Sequence, residues 1–112
     1  MMKKTLIILM SLASFQMFAC TNALPTDDSN FCSSFKSAAT CYCIAAGQPS
    51  RQCEDLDVLY GRMIYVYKTL EKACTHQAQT SVQNCIDNWN CYRNGGIDSE
   101  GRSCSGTTLP CR

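Results

Sequence analysis

Between Leu56 and Cys74 the apolar residues recur at helical spacing. Leu56, Leu59, Tyr60, Met63, Val66, Tyr67, Leu70 and Cys74 share about one third of the circumference at about 100° per residue. The pattern predicts one long helix from Arg51 to His76. Glu54, Asp55 and Asp57 sit in its first turns and Lys68, Lys72 and His76 near its end, matching the helix dipole. An earlier stripe, Phe31, Phe35, Ala38 and Tyr42, predicts a first helix capped by Asp28 or Ser29 and stopped at Gly47, with Pro49 just beyond. A third helix opens at a capping box, Thr80-Ser81-Val82-Gln83, buries Val82, Ile86 and Trp89, and stops at Asn94-Gly95-Gly96. After Ile97 only turn chemistry remains, carried by Gly101, Gly106 and Pro110. The expected fold is all-α: a small disulfide-rich three-helix bundle with an irregular, cysteine-tied C-terminal tail.

Upstream, Lys3 and Lys4 precede an apolar run from Leu6 to Phe18, which reads as a secretory signal peptide and is too short to span a membrane. The expected organisation is a signal peptide over 1–19, with cleavage as late as 23, a flexible tether over 20–29, and one disulfide-stabilised domain over 30–112. Met17-Phe18-Ala19-Cys20 is an imperfect bacterial lipobox, spoiled by Gln16 and the bulky Phe18, that makes Cys20 a candidate for lipidation. A lipid there is the only membrane contact the sequence offers. Cysteine parity bears on the same question. Cleavage after Ala19 without lipid leaves ten thiols, whereas lipidation of Cys20 or cleavage after Ala23 leaves nine.

Export moves those thiols into an oxidising compartment, where disulfides form and persist. The disulfide candidates are Cys32, Cys41, Cys43, Cys53, Cys74, Cys85, Cys91, Cys104 and Cys111. On a helix Cys41 and Cys43 project about 160° apart, so each must serve a different partner. A Cys43 to Cys53 bridge would close the Gly-Gln-Pro turn, and Cys74 to Cys85 would staple the second hairpin. Cys91, facing away from the third helix's apolar stripe, is placed to hold the tail through Cys104 or Cys111. Such struts matter because three short helices bury little on their own, and each bridge typically adds about 2 to 4 kcal/mol.

Chemistry beyond disulfides finds little support. Zinc and thioredoxin-like redox centres both call for CxxC spacing, which is absent, and the chain has one histidine. The run CYCIAAGQP resembles the CYCGxGG calcium loop of secreted phospholipases A2. Ile44, Ala45 and Ala46 replace the glycines such a loop needs, and no His-Asp dyad follows near Cys53. His76 reads as an exposed helix-end residue. No enzyme activity, cofactor, metal or small-molecule substrate is therefore expected. Without Lys3 and Lys4 the chain has eight basic residues against nine acidic, which argues against a nucleic-acid partner.

Val58, Gly61 and Tyr65, with Arg62 beside them, line the face opposite the long stripe. That face either packs on helix 1 or 3, with Gly61 allowing close approach, or docks a partner, since tyrosine and arginine are enriched where proteins meet. The segment Cys43-Ile44-Ala45-Ala46-Gly47-Gln48-Pro49-Ser50-Arg51-Gln52-Cys53, with Cys43, Gly47, Pro49, Ser50 and Cys53 as matching positions, resembles the cysteine-bounded core of the TrbM family of conjugal-transfer proteins. The resemblance implies a periplasmic or outer-membrane-associated part of a type IV secretion apparatus, one that binds and braces larger protein subunits. The alternative is a secreted disulfide-rich effector, toxin or inhibitor acting on a host or competitor protein.

Overall fold

The second stripe is not carried by one rod. A computed structural model describes residues 20–77 and 79–111, and in it the expected second helix is three helices. α1 spans Phe31–Ala45, α2 Ser50–Glu54, α3 Leu56–Tyr67, α4 Leu70–Gln77 and α5 Val82–Asn94, followed by a 3-10 turn at Cys104–Gly106. The signal peptide expected over 1–19 lies outside the described residues.

Local chemistry explains each break. Asp55 leaves helical geometry at φ −107°, ψ 104°, and its carboxylate accepts from the N–H groups of Asp57 and Val58, so it caps α3 instead of continuing α2. Lys68 takes φ +75°, its N–H bonds the Ile64 carbonyl at 2.8 Å, and α3 ends there. The Thr69 hydroxyl then accepts from Lys72 N–H at 3.1 Å and opens α4. α1 begins later than Asp28, whose carboxylate is taken by the Asn30 N–H at 2.8 Å, outside the helix. It stops as expected, with Gly47 at φ +84°. At α5 the cap is Ser81, not Thr80: the Ser81 hydroxyl accepts from Asn84 N–H at 3.1 Å.

Aromatic rings join the layers. Phe35 of α1 meets Trp89 of α5 edge-on at 4.9 Å, lies 5.6 Å from Phe31 and 5.3 Å from Tyr92, and Trp89 in turn lies 5.5 Å from Tyr60 of α3. Leu56, Leu59 and Met63 complete this core. Three residues of the expected stripes fall outside it. Val66 and Val82 are exposed, and Tyr42 is half-buried with its hydroxyl donating to Asn22 Oδ1 at 2.7 Å.

All ten cysteines are bonded: Cys20–Cys41, Cys32–Cys111, Cys43–Cys53, Cys74–Cys85 and Cys91–Cys104. Cys41 and Cys43 do serve different partners. Cys91 is buried beside the tail it holds.

The tether over 20–29 is corrected by the structure. Thr26 is almost wholly buried, its hydroxyl donates to Asp98 Oδ2 at 2.6 Å, and its carbonyl accepts from Ser105 N–H at 2.6 Å. Cys20 is likewise no lipid site, because its sulfur is shared with Cys41 and is not available for a thioether. Cleavage as late as 23 would remove Cys20 and strand Cys41. The tail runs back over the end of α5, where Gly96 N–H bonds the Thr108 carbonyl at 2.7 Å and Cys111 N–H bonds the Tyr92 carbonyl at 2.9 Å.

Candidate functional site

Because α2, α3 and α4 turn instead of running straight, they enclose a groove of about 560 Å³ against α1 and α5. Its floor is apolar: Phe35 from α1, Leu59 and Met63 from α3, and Trp89 from α5. Cys43 and Cys85 stand in its walls, so the Cys43–Cys53 and Cys74–Cys85 bridges fix the spacing of the helices that form it. Six carboxamides surround the floor: Asn22, Gln48, Gln52, Gln77, Gln79 and Asn88. Some are engaged within the wall. Gln52 Nε2 donates to Gln48 Oε1 at 3.2 Å, and Gln77 Nε2 lies 3.0 Å from Met63 Sδ.

Asn88 differs from the others. It is 6% exposed, and its Oδ1 accepts no hydrogen bond from the described residues. A buried acceptor left without a donor typically costs about 1 to 3 kcal/mol. Arg62 and His76, both exposed, bring a cation and an imidazole to the edge, and none of the described residues lining the groove is a carboxylate. The site thus combines an apolar floor with side-chain amides and one guanidinium.

Among the described residues, the face of Val58, Gly61 and Tyr65 packs on no other helix. Val58 is 51% and Tyr65 68% exposed, and a Cβ added at Gly61 would have no heavy atom within 4 Å. Close helix packing at Gly61 is therefore ruled out. The Arg62 guanidinium lies 5.8 Å and the Lys68 ammonium 5.2 Å from the Tyr65 ring centroid, both within cation–π range. Val66, also exposed, connects this face to the groove.

His76 stacks at 4.8 Å on Tyr67, and among the described residues no carboxylate hydrogen-bonds it. No three His, Cys, Asp or Glu side chains come together as a metal-holding group among the described residues, and none of their helices is long and apolar enough to cross a membrane.

One polar cluster escaped the sequence reading. The Asp98 side chain is fully shielded and receives Thr26 Oγ1 at 2.6 Å, Arg102 Nε at 2.9 Å, and the N–H groups of Glu100 and Arg102 at 2.9 Å each. Burial alone would raise its pKa. The hydrogen bonds outweigh it and hold the carboxyl down at about 2. Its partners are used up internally, so this carboxylate ties the N-terminal segment to the tail. The Asp-Ser-Glu-Gly-Arg turn was the available signal, but Thr26 lies 72 residues away.

The chain therefore belongs to a recognisable physical class: a small all-α domain braced by five disulfides, suited to an oxidising, exported environment. No protein-family model, curated protein or solved structure matches it.

Proposed function

We propose that this protein is a non-catalytic, exported component of a bacterial cell-envelope assembly of the type IV secretion or conjugal-transfer kind, acting in the periplasm or at the outer membrane by binding larger protein subunits. The observation that carries this is the exposed face of Val58, Gly61, Arg62 and Tyr65 on a body too heavily cross-linked to rearrange. A rigid surface loses little conformational entropy on binding. The TrbM-like segment from Cys43 to Cys53, whose ends are bonded to each other, supports the same assignment.

Two measurements test it. A photo-crosslinker placed at Tyr65 should capture envelope-spanning secretion components, which should also co-purify after mild detergent extraction. Recovery solely as a soluble monomer from the culture medium would overturn the envelope role and leave the secreted effector, toxin or inhibitor in its place.

A further inference from the structure

Of the five bridges, Cys20–Cys41 is placed unlike the rest. Cys43–Cys53, Cys74–Cys85 and Cys91–Cys104 have both cysteines buried. Cys32 is half-buried, but its partner Cys111 is buried and its sulfur lies 3.3 Å from the hydroxyl of the buried Ser105. Cys20 and Cys41 are both partly open to solvent, and thiol–disulfide exchange requires an attacking sulfur to reach the bridge.

The segment this bridge secures is short and otherwise lightly held. Leu24 N–H donates to Ser34 Oγ at 3.0 Å, and the Tyr42 hydroxyl donates to Asn22 Oδ1 at 2.7 Å and lies 3.4 Å from the Cys20 carbonyl oxygen. The next firm attachment is the buried Thr26, whose hydroxyl and carbonyl are taken by Asp98 and Ser105. Opening the bridge therefore frees residues 20–24 and the release stops at that anchor. Asn22 and Ala23 of this stretch line the groove, and Ala23 packs on the core.

We propose that Cys20–Cys41 is a redox latch on the groove: a dithiol reductant opens it ahead of the other four bridges, and residues 20–24 then leave the groove wall while the rest of the fold stays braced. One thiolate of the reductant attacks a bridge sulfur, forms a mixed disulfide and expels the other cysteine as a thiolate; the reductant's second thiol then displaces the first cysteine. The dithiol leaves as its own disulfide, and two electrons and two protons pass to Cys20 and Cys41. The latch involves no residue of α3 and does not depend on the envelope assignment.

The test begins with the folded, disulfide-intact protein in limiting dithiothreitol. Free thiols are trapped over time with N-ethylmaleimide, the remaining cysteines are reduced and alkylated with iodoacetamide, and peptide masses locate each label. Cys20 and Cys41 should take maleimide about tenfold faster than the other eight cysteines, because access limits exchange at the buried bridges. Trp89, the single tryptophan, lines the groove and is 3% exposed, so its quenching by neutral acrylamide reads the opening of the wall. The quenching constant should roughly double in Cys20→Ser/Cys41→Ser, with the helical circular dichroism unchanged, as a local opening requires. Wild-type protein opened by the reductant after folding should show the same rise, which covers the case of a double variant that fails to fold.

Earlier or equally fast labelling of any other pair overturns the latch. So does selective opening of Cys20–Cys41 that leaves Trp89 quenching unchanged, or that takes the helical signal with it.

Discussion

Gly61 and Gly95 have opposite reasons to be glycine. Gly61 sits inside α3 with open space around its missing side chain, so Gly61→Ala should stabilise by about 1 kcal/mol through helix propensity. Gly95 ends α5 at φ +69°, and an added Cβ would stand 2.5 Å from the Thr108 carbonyl oxygen and 2.6 Å from the backbone of Leu109 and Pro110. Gly95→Ala should therefore destabilise by about 2 kcal/mol or more, since both the backbone and the tail must shift. Denaturant midpoints of the two variants, at unchanged m-value, check the contrast. Asp98 gives a prediction in pH. Its carboxyl is held at about 2 instead of the usual 3.8 because hydrogen bonds from Thr26, Arg102 and Glu100 favour the ionised form against the opposing effect of burial. A depressed folded-state pKa contributes stability that is complete above about pH 4 and is lost as pH falls toward 2. The thermal midpoint should fall across that window, and Asp98→Asn should flatten the fall while lowering the midpoint at pH 6.

At the scale of elements, periodicity placed Leu56, Leu59, Met63 and Cys74 on a common buried side, and the structure buries all four. It missed the breaks between them. An acidic residue early in a helix favours the dipole, but the same carboxylate one turn further on caps a new helix, and Asp55 does the second. Nothing in residue type marks Lys68 for φ +75°, a conformation uncommon outside glycine. The groove depends on these breaks, so it was not legible in a stripe drawn on one rod, although its floor residues Phe35, Leu59, Met63 and Trp89 were. Asp55→Ala should remove two hydrogen bonds at the start of α3 and cost about 1 kcal/mol. Chemical denaturation measures that loss.

At the scale of the whole molecule, the bridges divide into two kinds. Cys43–Cys53, Cys74–Cys85 and Cys91–Cys104 close loops across neighbouring elements, with separations of 10, 11 and 13 residues, and spacing alone pointed to them or to one of two choices. Cys20–Cys41 and Cys32–Cys111 depend on where the N-terminal segment and the tail lie in space, and a segment of small and polar residues gives no sign that Thr26 is buried against Asp98. The long bridge has the larger thermodynamic consequence. Cys32 and Cys111 are 79 residues apart, so linking them restricts most of the unfolded chain, an effect of about 4 to 5 kcal/mol by loop closure against about 3 kcal/mol for the short loops. The Cys32→Ser/Cys111→Ser double variant should accordingly lose more stability in guanidinium than Cys43→Ser/Cys53→Ser. The ranking should reverse for the shape of the groove, read from Trp89 emission, because Cys43 stands in its wall and neither Cys32 nor Cys111 is among the residues lining it. Measuring unfolding midpoint and native-state Trp89 emission on the same two variants would separate the bridge that holds the molecule together from the bridge that shapes its groove.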